Sequence, residues 1–256
     1  MPDAKKCMNI LGTKWRHILL GSASDIRELR EINMSDPDVD NLPVDEIDRD
    51  LTRTFPNTEF FTQHINDLRN ILLWYAWTNQ GYGYCQNFSF LSFVVYKVMH
   101  ASDPDHAMID TYYCMHRLIL IIKPMLPMSS QDDAPLHFID CLRSVVVLDI
   151  MSLDFELFEH LKGREVVKYI IMKGFSTMFL NWFCLDECVH LLDFVIDEKN
   201  STMFQRLISF LTAFLLVNRE YFLHFDDAKV LELMTEKQLY VKFWAILMQA
   251  RALESS

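Results

Sequence analysis

A chain of 256 residues, 51% of them apolar, is long enough to bury one large core and stands near the upper size of a single domain. Its formal charge of −11, with Lys and Arg scattered and no basic patch, excludes a nucleic-acid backbone or an anionic membrane surface as its main partner. Only six glycines and six cysteines without paired spacing exclude a hairpin-rich sheet and a disulfide framework, and predict helices with reduced, mostly buried thiols.

Met1 to Ile10 lacks the apolar stretch of a secretory signal, which predicts a cytosolic chain. Trp15, Ile18 and Leu19 share one helical face, and Gly21 follows where a C-terminal cap belongs. Ser35 to Pro43 reads as a loop. The densest charge run, Asp36 to Asp50, reads as a solvated segment or, more sharply, as a surface that meets a basic region of a partner. Pro56 breaks the chain just after Arg53.

From Ile65 the residues Leu68, Leu72, Tyr75 and Ala76 recur at helical spacing until Gly81 and Gly83 end the run. A second helix is predicted to begin near Tyr84 and to carry Phe88, Leu91, Val95 and Val98. After a polar connector at 100–105, Met108, Tyr112, Met115, Leu118 and Ile122 give a helix stopped by Pro124. Pro127 and the stretch 129–135 form a loop. Helical patterns follow at 136–148, 153–161, 164–180, 185–198, 203–224 and 227–253. The longest apolar stretch, Leu207 to Val217, is too short for the roughly 20 residues of a membrane span and is bounded by Arg206 and Arg219, so it reads as a buried helix. Period-two alternation and internal repeats are both missing, and the chain reads as an irregular all-α domain.

Two short patterns could carry chemistry. Ile47, Asp50, Arg53 and Thr54 form I-x-x-D-x-x-R-T, in which a carboxylate one helical turn before a guanidinium can hold it in one rotamer. Alone, such a pair reads as an ordinary surface ion pair. Gly83-Tyr84-Cys85-Gln86 stands at the start of an apolar helix, where Gln86 alone would be an ordinary terminal polar residue.

Taken together and in this order, the two patterns resemble the first two signature motifs of the TBC domain, the Rab-GAP module, whose forms are I-x-x-D-x-x-R and Y-x-Q-G. The likeness continues in Trp15-Arg16-His17-Ile18-Leu19-Leu20-Gly21, which looks like the opening of TBC domains. Leu72, Tyr75, Ala76, Asn79 and Gly83 to Gln86 follow the family's L-x-x-Y-A-x-x-N-x-x-x-G-Y-C-Q. Phe175 to Phe179 and then Asp193 match the third motif, W-F-L-T-L-F closing with W-D. The chain departs from the family at Asn87, where glycine is usual, at Phe88 for methionine, at Gly174 and Leu192 for tryptophans, and at Cys184 for proline. Trp182 and Phe183 are expected to refill the space of the lost tryptophans.

The resemblance implies an all-α TBC-type domain over residues 12–225, with a tail at 1–11 and a helical extension at 226–256 packing on the same domain. It implies a GTPase-activating protein that acts on a Rab-family GTPase in its GTP form. Arg53 and Gln86 would be catalytic residues supplied in trans, with Asp50 orienting Arg53 and with Thr54, Tyr84 and Asn87 in support. Nucleotide and Mg²⁺ would be carried by the partner, so the chain would need no cofactor of its own, and it would be a cytoplasmic protein recruited to membranes through that partner. The alternative is a TBC fold that binds a GTPase or another protein without accelerating hydrolysis. A thiol hydrolase built on Cys85, a zinc site at Cys184, Cys188 and His190, and a phosphate loop at Gly81-Tyr82-Gly83 each lack a supporting local signature.

Overall fold

The computed structural model of the protein describes residues 2–31, 40–56, 58–81, 83–86, 88–126, 134–197 and 201–255. Asn87, Tyr82 and parts of the acidic run and of the mid-chain loop lie outside the described residues. The first part of the chain gives α1 (Pro2–Leu20), α2 (Ala23–Arg30), α3 (Val44–Arg53), α4 (Glu59–Thr78), α5 (Phe88–Ser102) and α6 (Ala107–Ile122). The second gives α7 (Ala134–Leu153), α8 (Phe155–Leu161), α9 (Glu165–Phe175) and α10 (Leu185–Ile196). The last gives α11 (Met203–Val217), α12 (Arg219–His224), α13 (Asp227–Thr235) and α14 (Phe243–Ser255). No strand occurs among the described residues, so the fold is all-α as the glycine deficit and the periodicity predict.

The chain divides into two compact units, Met1–Lys123 with Cys184–Asp197, and Pro124–Phe183 with Glu198–Ser256. The first unit is organised on α5. A helix with Phe88, Leu91, Phe93, Val94, Val95 and Val98 all buried is apolar around most of its circumference and must sit inside others. It packs against α1, α3, α4, α6 and α10. Two polar devices tie the surrounding helices together. The indole of the fully buried Trp15 donates to Asp193 of α10 at 3.1 Å, and Lys14 reaches the same carboxylate oxygen at 2.7 Å. The buried Asp110 of α6 accepts Arg16 of α1 at 3.1 Å and Arg30 of α2 at 2.9 Å, a charge cluster that offsets its own desolvation.

In the second unit α11 is the central helix and packs against α7, α9, α12 and α14, so the extension beyond residue 225 shares this core. Phe179, Trp182, Phe183, Phe210, Phe214, Tyr240 and Phe243 form one aromatic cluster. The apolar stretch 207–217 is buried in α11 as expected, and no helix among the described residues is long and apolar enough to cross a membrane.

Several boundaries differ from the periodic reading. The acidic run is not all loop, because α3 begins at Val44; Asp48 then pairs with Arg69 of α4 at 2.6 Å and Asp50 is buried. The pattern at 203–224 is two helices separated at the fully buried Asn218, whose amide donates to the Phe214 carbonyl at 3.0 Å. The pattern at 227–253 is broken by Lys237, which adopts the left-handed conformation at φ 59°. α9 stops at Phe175 because Met178 and Phe179 both have positive φ. The space at Gly174 is filled by Phe179, not by Trp182 or Phe183: a Cβ there would lie 2.1 Å from the Phe179 ring. The thiols are also less buried than expected, for only Cys114 and Cys188 are buried and Cys7, Cys141 and Cys184 are exposed.

Candidate functional site

α3 is amphipathic, with Ile47, Asp50 and Leu51 on its buried face, and that face fixes which residues its last turn presents outward. Arg53 is the last helical residue and its side chain is exposed. The chain leaves the helix at Thr54 and turns at Phe55, whose φ of 41° is a costly conformation for an aromatic residue. Phe55 is held there by Phe90 and Phe93 of α5, each ring 5.3 Å away.

The second segment is built by its glycine. α4 ends at Thr78 with Asn79 as its cap, and Gly83 donates its N–H to the Asn79 carbonyl at 2.7 Å. Gly83 has φ 57° with open space where a Cβ would stand, so it is required by the backbone and not by crowding. Tyr84, Cys85 and Gln86 then run in non-helical conformation, and α5 starts only at Phe88, with its N–H bonded to the Cys85 carbonyl at 3.1 Å. Gln86 therefore sits on a short exposed connector and not on the first turn of a helix.

Two hydrogen bonds join these segments. The buried Tyr84 hydroxyl donates to Asp50 Oδ2 at 2.7 Å, and the buried Thr54 hydroxyl lies 2.7 Å from Ser89 Oγ while also donating to the Asp50 carbonyl at 2.9 Å. Arg53 lies between Asp50 and Thr54 in sequence, and Gln86 lies between Tyr84 and Ser89. Each exposed side chain is thus bracketed by two buried anchors. Burial, and then the bond to the Asp50 carboxylate, pushes the Tyr84 phenol above its ordinary value and keeps it a donor.

The expected pair between Asp50 and Arg53 is not formed. Asp50 is buried and its carboxylate is taken by Tyr84, whereas Arg53 is exposed and has no ion pair among the described residues. The two residues are neighbours one turn apart on α3, but Asp50 is buried and accepts from Tyr84 while the Arg53 side chain is exposed to solvent. Asp50 is therefore joined to Arg53 only through the backbone of α3. Ser89 had no signal in the sequence, because a lone serine in an apolar helix carries no pattern until its partner is located. Asn87 lies outside the described residues.

The other chemistries fare poorly on geometry. Burial, with the Glu46 charge adding to it, pushes the Cys85 thiol up, away from the thiolate a nucleophile needs. Among the described residues no three His, Cys, Asp or Glu side chains converge as metal ligands; Cys184 is exposed and Cys188 buried, which sets them in different surroundings.

Comparison with known proteins places these features in a family. The chain is 31% identical over 86 residues to TBC1 domain family member 2B of Xenopus tropicalis, and the match covers 32% of this chain and 8% of that protein. It is 30% identical over 86 residues to human TBC1 domain family member 2A, again covering 32% of this chain and 8% of the relative. The matched segment is thus a small part of the length of these relatives. Among solved structures, the Ypt/Rab-GAP domain of Gyp1p superposes with a TM-score of 0.65 at 15% identity, covering 99% of this chain and 80% of that one, a likeness of fold. The family model for the Rab-GTPase-TBC domain matches residues 12–223, and the chain therefore belongs to the Rab-GTPase-TBC domain family.

Proposed function

We propose that this protein is a GTPase-activating protein that accelerates GTP hydrolysis by a Rab-family GTPase, supplying Arg53 and Gln86 in trans. The observation that carries this reading is the pair of buried bonds, Tyr84 to Asp50 and Thr54 to Ser89, which bracket two exposed residues suited to that chemistry. A surface arginine and a surface glutamine with no role in a partner would need no such scaffold. Membership of the Rab-GTPase-TBC domain family supports the partner class, as does the Ypt/Rab-GAP name of the structural neighbour.

A small GTPase is slow because charge developing on the transferred phosphoryl group is incompletely neutralised and the attacking water is loosely held. Arg53 addresses the first deficit. Its guanidinium is planar, always charged and able to bond two phosphate oxygens at once, and an arginine supplied in trans is worth about 10³–10⁵ in rate, or about 4–7 kcal/mol of barrier. Gln86 addresses the second, since its amide accepts from water through oxygen and donates to a phosphate oxygen through nitrogen. Neither residue has to be desolvated before the partner arrives. The partner brings nucleotide and Mg²⁺, and this chain supplies no cofactor.

Single-turnover phosphate release from a panel of GTP-loaded Rab proteins tests the reading. At least one should be stimulated by the wild type, and Arg53→Ala and Arg53→Lys should both lose that stimulation with the helical circular dichroism signal unchanged. An Arg53→Lys protein that kept most of its activity would remove Arg53 from this role. No stimulation of any Rab protein would favour a domain that binds without activating.

A further inference from the structure

The second unit holds a cleft of about 230 Å³ between α9, the turn Leu180–Trp182 and the turn Gln238–Tyr240. Lys173 and Lys237 line it together with Tyr169, Asn181, Trp182 and Tyr240, and none of its lining residues is an acid. In a chain of net charge −11 this is an unusual local balance. Neither lysine has an ion pair among the described residues; Glu232 pairs with Lys229 at 2.8 Å, and Glu236 accepts from the Gln238 amide at 2.7 Å.

Uncharged donors add to the two cations. The Thr177 hydroxyl lies 2.9 Å from Asn181 Oδ1 and 3.2 Å from the Lys173 and Gly174 carbonyls, and the Asn181 amide lines the cleft beside it. Tyr240 adds a phenol hydroxyl, which burial, with Tyr169 nearby, pushes above its ordinary pKa and so keeps protonated. Tyr240 stacks on Trp182 with centroids 4.9 Å apart, which makes the wall rigid. Lys173 Nζ lies 5.7 Å above the ring of Tyr169, one helical turn earlier in α9.

Lys237 itself supplies an independent observation. It closes α13 in the left-handed conformation, φ 59° and ψ 17°, with its N–H donating to the Met234 carbonyl at 3.1 Å. That cap position favours glycine or asparagine, and a long β-carbon-bearing side chain there is kept against a backbone cost. Lys237 lines a cleft that also holds Lys173 and has no acid among its lining residues.

We propose that this cleft binds a phosphate monoester carried on a ring-shaped group, with the phosphate between Lys173 and Lys237 and the carrier against the aromatic wall. Two ammonium groups balance a phosphate dianion where a carboxylate would leave one cation uncompensated, and the several donors match its oxygens. The volume exceeds a phosphate's needs, since a water's share of liquid volume is about 30 Å³, and so admits a carrier.

Calorimetric titration of the full chain at low ionic strength with phenyl phosphate, inorganic phosphate and phenol tests this, using wild type, Lys173→Gln, Lys237→Gln and Lys237→Gly. Phenyl phosphate should bind saturably, inorganic phosphate about tenfold more weakly, and phenol not at all. Each lysine substitution should weaken phenyl phosphate about tenfold or more. Lys237→Gly should also keep or raise Tm, separating loss of the ligand from loss of the fold. The proposal is overturned if phenyl phosphate does not bind, if the lysine variants bind it as well as wild type, or if phenol competes equally. Equal affinity for inorganic phosphate would reject the ring carrier.

Discussion

Tyr84→Phe removes one oxygen atom and tests whether the two segments are held as a unit. Asp50 and Tyr84 are both buried, at 7% and 9% exposure, and the phenol is the carboxylate's hydrogen-bond donor at 2.7 Å. Deleting a bond to a buried charged group costs about 1.5–3 kcal/mol, and the loss falls on Asp50, for which no other described side chain substitutes. In a chain of this size each kcal/mol lowers Tm by about 2–4 °C. The activity effect comes from geometry: a misplacement of about 1 Å in a positioned group can cost about 10²-fold, so stimulated hydrolysis should fall about 10- to 100-fold well below Tm, with Arg53 and Gln86 intact. Asp50→Asn keeps an acceptor oxygen for the phenol and should be milder than Tyr84→Phe. Urea unfolding and single-turnover hydrolysis across Tyr84→Phe, Asp50→Ala and the double variant should show a coupling of about 0.5–3 kcal/mol. Strict additivity, or a Tyr84→Phe protein equal to wild type in both assays, would refute the clamp.

Asp193→Ala should cost about 1–3 kcal/mol in urea unfolding, because it leaves the fully buried Trp15 indole N–H without its acceptor; a neutral result would mean that the bond is incidental. Burial pushes Tyr84, Tyr96 and Cys114 above their ordinary values, so the folded chain holds protons that the unfolded chain releases near pH 8.5 for cysteine and near pH 10 for tyrosine, by about those ordinary values. Their contribution is complete below those values and is lost as pH rises, by up to about 1.4 kcal/mol per pH unit for each group. Stability in urea that stays flat from about pH 8 to 11 would contradict this. At Asn87, where the family pattern has glycine, asparagine tolerates positive φ, so Asn87→Gly should agree with wild type within a few-fold in kcat/KM and Asn87→Ala should be the weakest. Rescue of an inactive wild type by Asn87→Gly would instead mark a binding module.

The all-helical class was legible because composition and periodicity are properties of whole segments and survive errors at their ends. What the periodicity missed were single residues that override it. Asn218 divides one apolar pattern by turning its amide back on its own helix, and Lys237 divides another through its left-handed backbone. Gly174 reads as a lost side chain, yet it is the residue that lets the Phe179 ring approach the helix. At the candidate site, the resemblance to the TBC motifs pointed to Arg53, Gln86, Asp50 and Tyr84, but spacing suggested the wrong partner for Asp50. The i, i+3 rule favours Arg53, whereas burial favours a neutral donor, and burial decides. Ser89 was not legible because its role exists only through contact with Thr54, 35 residues earlier.

If Arg53 and Gln86 are both supplied in trans, one measurement addresses the two side chains together. A responsive Rab protein whose own water-positioning glutamine has been replaced by leucine is loaded with GTP, and single-turnover hydrolysis is followed with wild type, Gln86→Ala and Arg53→Ala. The wild type should still accelerate this crippled GTPase, and each substitution should abolish the acceleration. A wild type that cannot stimulate it, or a Gln86→Ala protein that stimulates as well as wild type, would contradict the supply of glutamine from this chain.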